Sequence, residues 1–196
     1  MKLSKYLVVL LILLHPSSNA CHRYSQSNVV VHDCKEKIED GLIQGTPNIR
    51  MSASNCQDYL FKCDVVKQAL DVFVNEYSEE FRIEKSKVWF LLKDLKIEFS
   101  AIPKTVNAAY DINGELLTGE VPVSGLAMNK DLIWVEIRTS QIWSSSLIHE
   151  IVHVIIWRKN IVHGDPDHEG PDFSGWTKEH TKLIKRVNKI LLNAEI

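Results

Sequence analysis

The sequence lacks a long apolar segment, and it therefore predicts no transmembrane helix. The longest uninterrupted apolar run is Tyr6–Leu14, whereas a spanning helix needs about 20 apolar residues. Lys2 and Lys5 precede this run, and the small residues Ser18 and Ala20 follow it. A basic start, a short apolar run and small residues at the end are typical of a signal peptide. We therefore expect residues 1–20 to be removed and the rest of the chain to be exported.

Cysteine is scarce, and all four cysteines lie in the first third of the chain: Cys21, Cys34, Cys56 and Cys63. None of them has the close pairing of a cysteine zinc site, so we expect no such site. An even number in an exported chain predicts two disulfides. The small residues before Cys21 also resemble a bacterial lipobox, so lipid attachment at Cys21 is the alternative, and it would leave three cysteines.

The sequence also has no large excess of charge of one sign. Lys and Arg number 23 and Asp and Glu number 25, which gives a net charge of −2. Loss of Lys2 and Lys5 with the signal peptide leaves 21 basic against 25 acidic side chains, or −4. A mildly acidic protein lacks the basic surface of a nucleic-acid binder. We expect no nucleic-acid partner, and we expect the protein to be a monomer.

The order of the predicted elements indicates an α+β fold. Residues 21–55 are polar and are predicted to form an irregular N-terminal arm tethered by disulfides, and residues 56–196 are predicted to form one domain. Hydrophobic periodicity predicts the elements of that domain. They are a helix from Cys56 to about Phe81, one or two strands within Val88–Ile102, a hairpin from Val121–Met128 and Leu132–Ile137, a helix over Ser144–Arg158 and a helix from about Thr177.

The residues with the clearest chemistry are His149, Glu150 and His153, which form an HExxH motif. On a helix, residues four apart share one face, about 5–6 Å apart at Cβ, so both histidines can bind one zinc ion. On a strand they would be about 13 Å apart, too far for one metal. Glu150 projects about 100° round the helix from His149, where a carboxylate can act as general base. The motif therefore predicts a helix with a zinc site.

A catalytic zinc needs a third protein ligand and one open position. The loop that follows the motif offers His163, His168 and Glu169, and the last helix offers Glu179 as well as His180. The metzincin pattern requires glycine and histidine where this chain has Ile156 and Lys159, so that class is excluded. His180 is predicted to be a surface histidine, and Trp176 to be a packing residue. The third ligand stays open among these candidates.

The segment that follows the motif resembles the SprT-like (Spartan-type) zincins. That family has HExxH and, after a loop of about fifteen residues, a third histidine in a His-Gly-x-x-Phe/Trp context. Here His168 is followed by Glu169, Gly170 and Phe173, with Glu169 inserted between histidine and glycine. The hairpin segment 125–137 also looks like the strand that precedes the family's active-site helix. The resemblance covers residues 120–176.

The resemblance implies a zincin-like domain in which a small antiparallel or mixed sheet packs on the HExxH helix, with a further helix at the C-terminus. It implies His149, His153 and His168 as zinc ligands and Glu150 as the base. The inserted Glu169 keeps His163 and Glu169 as alternatives. We therefore expect an exported zinc metallopeptidase acting on a peptide or protein substrate. A catalytically silent binding module, such as an envelope lipoprotein, is the alternative.

Overall fold

The computed structural model describes residues 41–54, 63–100, 102–110, 116–137, 140–159 and 175–194. The predicted signal peptide, Cys21, Cys34, Cys56 and the loop with His163, His168 and Glu169 lie outside the described residues, so the predictions made on them stay predictions. The helices are α1 (Cys63–Phe81), α2 (Lys85–Leu91), α3 (Ser140–Arg158) and α4 (Lys178–Asn193). The strands are β1 (Gly41–Leu42), β2 (Arg50–Ser54), β3 (Lys96–Ser100), β4 (Lys104–Tyr110), β5 (Leu116–Val123), β6 (Gly125–Asn129) and β7 (Leu132–Glu136).

The described residues form an α+β fold with a mixed five-stranded sheet in the order β1-β2-β3-β7-β6. Strands β2, β3 and β7 run parallel, while β1 and β6 are antiparallel to their neighbours at the two ends. Strands β4 and β5 form a separate antiparallel pair that leads directly into β6. The predicted α+β class is therefore confirmed.

Two local predictions differ from the structure, and a third is confirmed with narrower bounds. The arm is not irregular throughout, because β1 and β2 belong to the sheet. The prediction of one or two strands within Val88–Ile102 is confirmed by β3, although Val88 to Leu91 lie in α2 and the strand starts only at Lys96. Val121 belongs to β5, so the predicted hairpin with β7 begins at Gly125. A short apolar run does not distinguish a buried strand from a buried helix segment, so the sequence did not show where within Val88–Ile102 the strand begins.

The sheet buries one face against the helices. Side chains alternate along a strand, and the inward ones on β3 and β7 are completely buried: Ile97, Phe99, Ile133 and Val135. They belong to one hydrophobic cluster that also contains residues of α1, α3 and α4. Burial of a side chain of this size contributes roughly 1.5–3 kcal/mol. The cluster therefore fixes α3 beside β6 and β7.

Helix α3 is apolar on nearly every face. Seven of its side chains are at most 1% exposed: Leu147, Ile148, Ile151, Val152, Val154, Ile155 and Ile156. Most of these are β-branched and favour strands, yet a helix that is hydrophobic all round is stable when it is buried. The predicted helix is confirmed, and its first residue is Ser140.

Helix α4 is amphipathic and covers α1 and α3. Arg186 Nη1 donates to Glu80 at 2.8 Å, and Asn188 Nδ2 donates to Ser145 Oγ at 2.9 Å. The predicted start near Thr177 is confirmed. Within the part of the chain that the structure describes, none of the helices is long and apolar enough to cross a membrane.

Candidate metal centre

Two histidine side chains on α3 converge on one point. The Nε2 atoms of His149 and His153 are 3.2 Å apart. Two nitrogens each 2.0–2.1 Å from a tetrahedral zinc ion are separated by about 3.3 Å, so the spacing fits a shared ion. When no metal is bound, the same spacing lets one ring donate a hydrogen bond to the other. The one-turn separation that the motif requires is therefore present.

Trp176 packs against both histidine rings. Its ring centroid lies 5.1 Å from that of His149 and 4.8 Å from that of His153, and the side chain is 2% exposed. The indole Nε1 donates to Thr181 Oγ1 at 3.0 Å, which fixes the ring to the first turns of α4. The prediction that Trp176 is a packing residue is confirmed. Its packing partners include the two candidate ligands, so it restricts their rotation.

Glu150 is buried beside the histidine pair. The residue is 7% exposed, and its Oε2 accepts a hydrogen bond from the backbone N–H of Ala127 at 2.7 Å. Burial raises the pKa of Glu150 to about 8, and the hydrogen bond from Ala127 acts in the opposite direction. A nearby cation would lower this pKa, because it stabilises the carboxylate form. The carboxyl group is thus held by strand β6 at the same end of α3 as the histidines.

Strand β6 is an end strand of the five-stranded sheet, and its open edge, the one away from β7, has no partner strand among the described residues. Glu136 N–H donates to Ser124 C=O at 2.9 Å, so Ser124 faces β7. Polar backbone groups alternate along an antiparallel strand, so Leu126 also faces β7, while Gly125 and Ala127 direct theirs to the open edge. The N–H that holds Glu150 is therefore an edge donor of the sheet.

The other sequence candidates are only partly placed. Glu179 lies on the exposed first turn of α4, where a hydrogen bond from the Thr177 side chain lowers its pKa. Among the described residues, no third His, Cys, Asp or Glu joins His149 and His153 in a metal-binding group. The remaining candidates lie in the segment 160–174, outside the described residues. The described residues on either side of that segment are Lys159, which follows the end of α3, and Gly175, which precedes Trp176.

The prediction for His180 is wrong. The side chain is 5% exposed and packs against Phe81, with ring centroids 4.5 Å apart. Its Nδ1 accepts the N–H of Thr177 at 3.0 Å and so caps α4. Burial, with a contribution from the positive charge of Lys159, lowers the pKa of His180 to about 4. Its observed role is that of a buried capping residue.

Sequence reasoning did not identify Gly125 or Ala127 as neighbours of Glu150. The hairpin was predicted, but its contact with α3 joins residues 23 positions apart and depends on how the sheet packs. No local pattern reports such a contact.

No family model matches this chain, and neither curated proteins nor solved structures give a significant match. The resemblance to SprT-like zincins therefore rests on the motif residues and the hairpin segment 125–137 alone.

Proposed function

We propose that the protein is an exported zinc metallopeptidase of the zincin type. The observation that supports this most directly is the arrangement on α3, where two imidazole Nε2 atoms lie 3.2 Å apart and a buried carboxyl group follows the first histidine. The proposed ligands are His149, His153 and His168. His163, Glu169 and Glu179 remain the alternatives for the third position. A solvated or substrate-accepting fourth position completes a catalytic site.

The chain's own residues supply the acid–base chemistry. When bound, a zinc ion acts as a Lewis acid that acidifies a water molecule and polarises a carbonyl group. Glu150 accepts the proton of the attacking water, and it later delivers that proton to the nitrogen of the departing amine. Its Oε2 keeps the hydrogen bond to Ala127 N–H, which leaves Oε1 to carry the proton. The water oxygen bonds to the carbonyl carbon first, and the C–N bond breaks in a later step, when its nitrogen takes the proton from Glu150.

The open edge of β6 provides the proposed binding site for the substrate. An extended peptide can add to an exposed strand through backbone hydrogen bonds. Gly125 directs its N–H and C=O to this edge and Ala127 its C=O, while the Ala127 N–H stays bound to the base. A peptide paired there would place a carbonyl near the histidines. The acidic charge of the mature chain and the predicted export favour a peptide or protein substrate over a nucleic acid.

The test is zinc-dependent cleavage of a mixed peptide library by the mature chain and by Glu150→Gln. Loss of a general base costs about 10²–10⁴-fold in rate. We expect the variant to retain zinc and to lose at least about 100-fold of the cleavage rate. Glu98→Gln, which changes an exposed carboxylate on β3, is the matched control and keeps full activity.

Two results would reject the proposal. A Glu150→Gln protein that cleaves at the parent rate would exclude the mechanism. A parent protein that binds zinc and cleaves no member of a broad library would indicate the non-catalytic binding module instead.

A further inference from the structure

Strand β6 passes unusually close to Glu150 at Gly125. A Cβ atom built on Gly125 would lie 2.8 Å from Glu150 Cγ, 2.8 Å from Oε1 and 3.2 Å from the carboxyl carbon. Optimal separations between non-bonded carbon atoms are about 3.5–4.0 Å. The Glu150 side chain therefore occupies the space where every other residue type at position 125 would have its first side-chain atom.

Conformational freedom does not account for this glycine. Gly45 and Gly119 have φ angles of 73° and 96°, which L residues rarely adopt, but Gly125 is not in this left-handed region. Its neighbour Ala127 lies on the same helix-facing side of β6, and there a Cβ is accommodated. The requirement at position 125 is thus steric and specific to the contact with Glu150.

We infer that Gly125 is a positioning residue for Glu150, an inference that rests on the proposed function of Glu150 as general base. Strand β6 fixes the carboxyl group in two ways. The Ala127 N–H binds Oε2 at 2.7 Å, and the gap at Gly125 receives Cγ and Oε1. A methyl group at position 125 displaces the carboxyl group from this place, while the histidines on α3 keep theirs.

The displaced side chain has no easy alternative position. Glu150 is only 7% exposed, and its neighbours on α3, Ile148, Ile151 and Val154, are completely buried. Moving the carboxyl group breaks its hydrogen bond to Ala127 and pushes it against apolar atoms. The strain in a Gly125→Ala variant is therefore coupled to the presence of the Glu150 side chain.

A double-mutant cycle on the metal-free protein tests this coupling without any assay of activity. We expect Gly125→Ala to lower the melting temperature by about 3–8 °C. The same change in a Glu150→Ala background removes all three contacting atoms and should lower it by less than about 1 °C. A Glu150→Gln background keeps those atoms and should retain the full loss. This third arm separates steric coupling from an effect of charge.

The kinetic arm tests the positioning role on the zinc-loaded enzyme. We expect Gly125→Ala to bind zinc with the parent affinity and to lose about 100-fold in kcat, because a displacement of about 1 Å can cost that much. A rise of about 100-fold in KM with an unchanged kcat would contradict a role in positioning the base. Equal destabilisation by Gly125→Ala in the parent and Glu150→Ala backgrounds would overturn the inference. If the parent proves to lack peptidase activity, the stability cycle still decides whether Gly125 positions Glu150.

Discussion

Helices α3 and α4 pack into the same core but are built differently. α4 contributes one apolar face, with Leu183, Val187 and Leu191 buried, while its lysines face solvent. α3 is buried nearly all round and still contains the ionisable His153 and Glu150, which are each 7% exposed.

The buried ionisable residues of α3 are not needed to attach a helix to this core. α4 demonstrates that one apolar face is sufficient to attach a helix to this core. Burial of an ionisable group is unfavourable unless a partner compensates for it. Glu150 finds one compensating bond at Ala127, and the histidine pair converges on a point that suits a cation. Under the proposed function, these polar residues of α3 serve the metal site, whereas the buried His180 of α4 caps its own helix.

The largest expected effect is a difference in unfolding free energy between substitutions on the buried and the exposed face of α4. Leu183→Ala removes a completely buried side chain and should lower the free energy of unfolding by about 2–5 kcal/mol. Lys185→Ala changes an exposed residue two positions away and should change it by less than about 0.5 kcal/mol. Urea unfolding of both variants measures the difference. Equal losses would show that α4 is not attached by a single face.

The next effect concerns the one buried ionisable group of α4's first turn, His180, whose pKa is lowered to about 4. A histidine with a lowered native pKa stabilises the fold above its ordinary pKa of 6.5, and this contribution is lost as the pH falls through about 4. The charged or titratable groups that face it are Lys159, Glu179 and Tyr77. Desolvation of His180 dominates, so acid should destabilise the native state through this residue.

The measurement is urea unfolding of the metal-free protein at pH 7 and pH 4.5. His180→Asn keeps an acceptor for the Thr177 N–H but does not titrate. We expect the parent to lose about 1–2 kcal/mol more than this variant between the two pH values. The same pH dependence in both proteins would show that His180 does not titrate with unfolding.

The smallest expected effect lies where the two helices meet, at Trp176. This residue is held by Thr181 of α4 and packs on both histidines of α3. Trp176→Ala frees the imidazole rings and should weaken zinc binding about tenfold, a loss comparable to that of other groups that orient metal ligands. Trp176→Phe keeps an aromatic surface and should retain most of the affinity. Chelator competition measures both, and unchanged affinity in Trp176→Ala would remove its role at the site.

The elements that the sequence predicted correctly are those with a clear local signal. The α4 helix has a regular apolar stripe, the β6–β7 hairpin has a polar turn at 129–131, and α3 follows from the spacing of His149 and His153. The parallel pairing of β2 with β3 and of β3 with β7 joins distant segments, and no local pattern encodes it.

The same distinction applies to the site. The spacing within α3 predicted that two histidines share a face. The contact between Glu150 and β6 and the burial of His180 arise from tertiary packing, which single-sequence periodicity does not report.

The central claim is most directly tested by the zinc content of the purified mature chain, measured after dialysis beside His153→Ala and His168→Ala. We predict about one zinc per parent chain, lost from His153→Ala and lost or strongly weakened in His168→Ala. If His168→Ala keeps the zinc that His153→Ala loses, the third ligand is His163, Glu169 or Glu179 instead of His168. A parent chain that binds no zinc, even after incubation with the metal, would contradict the account.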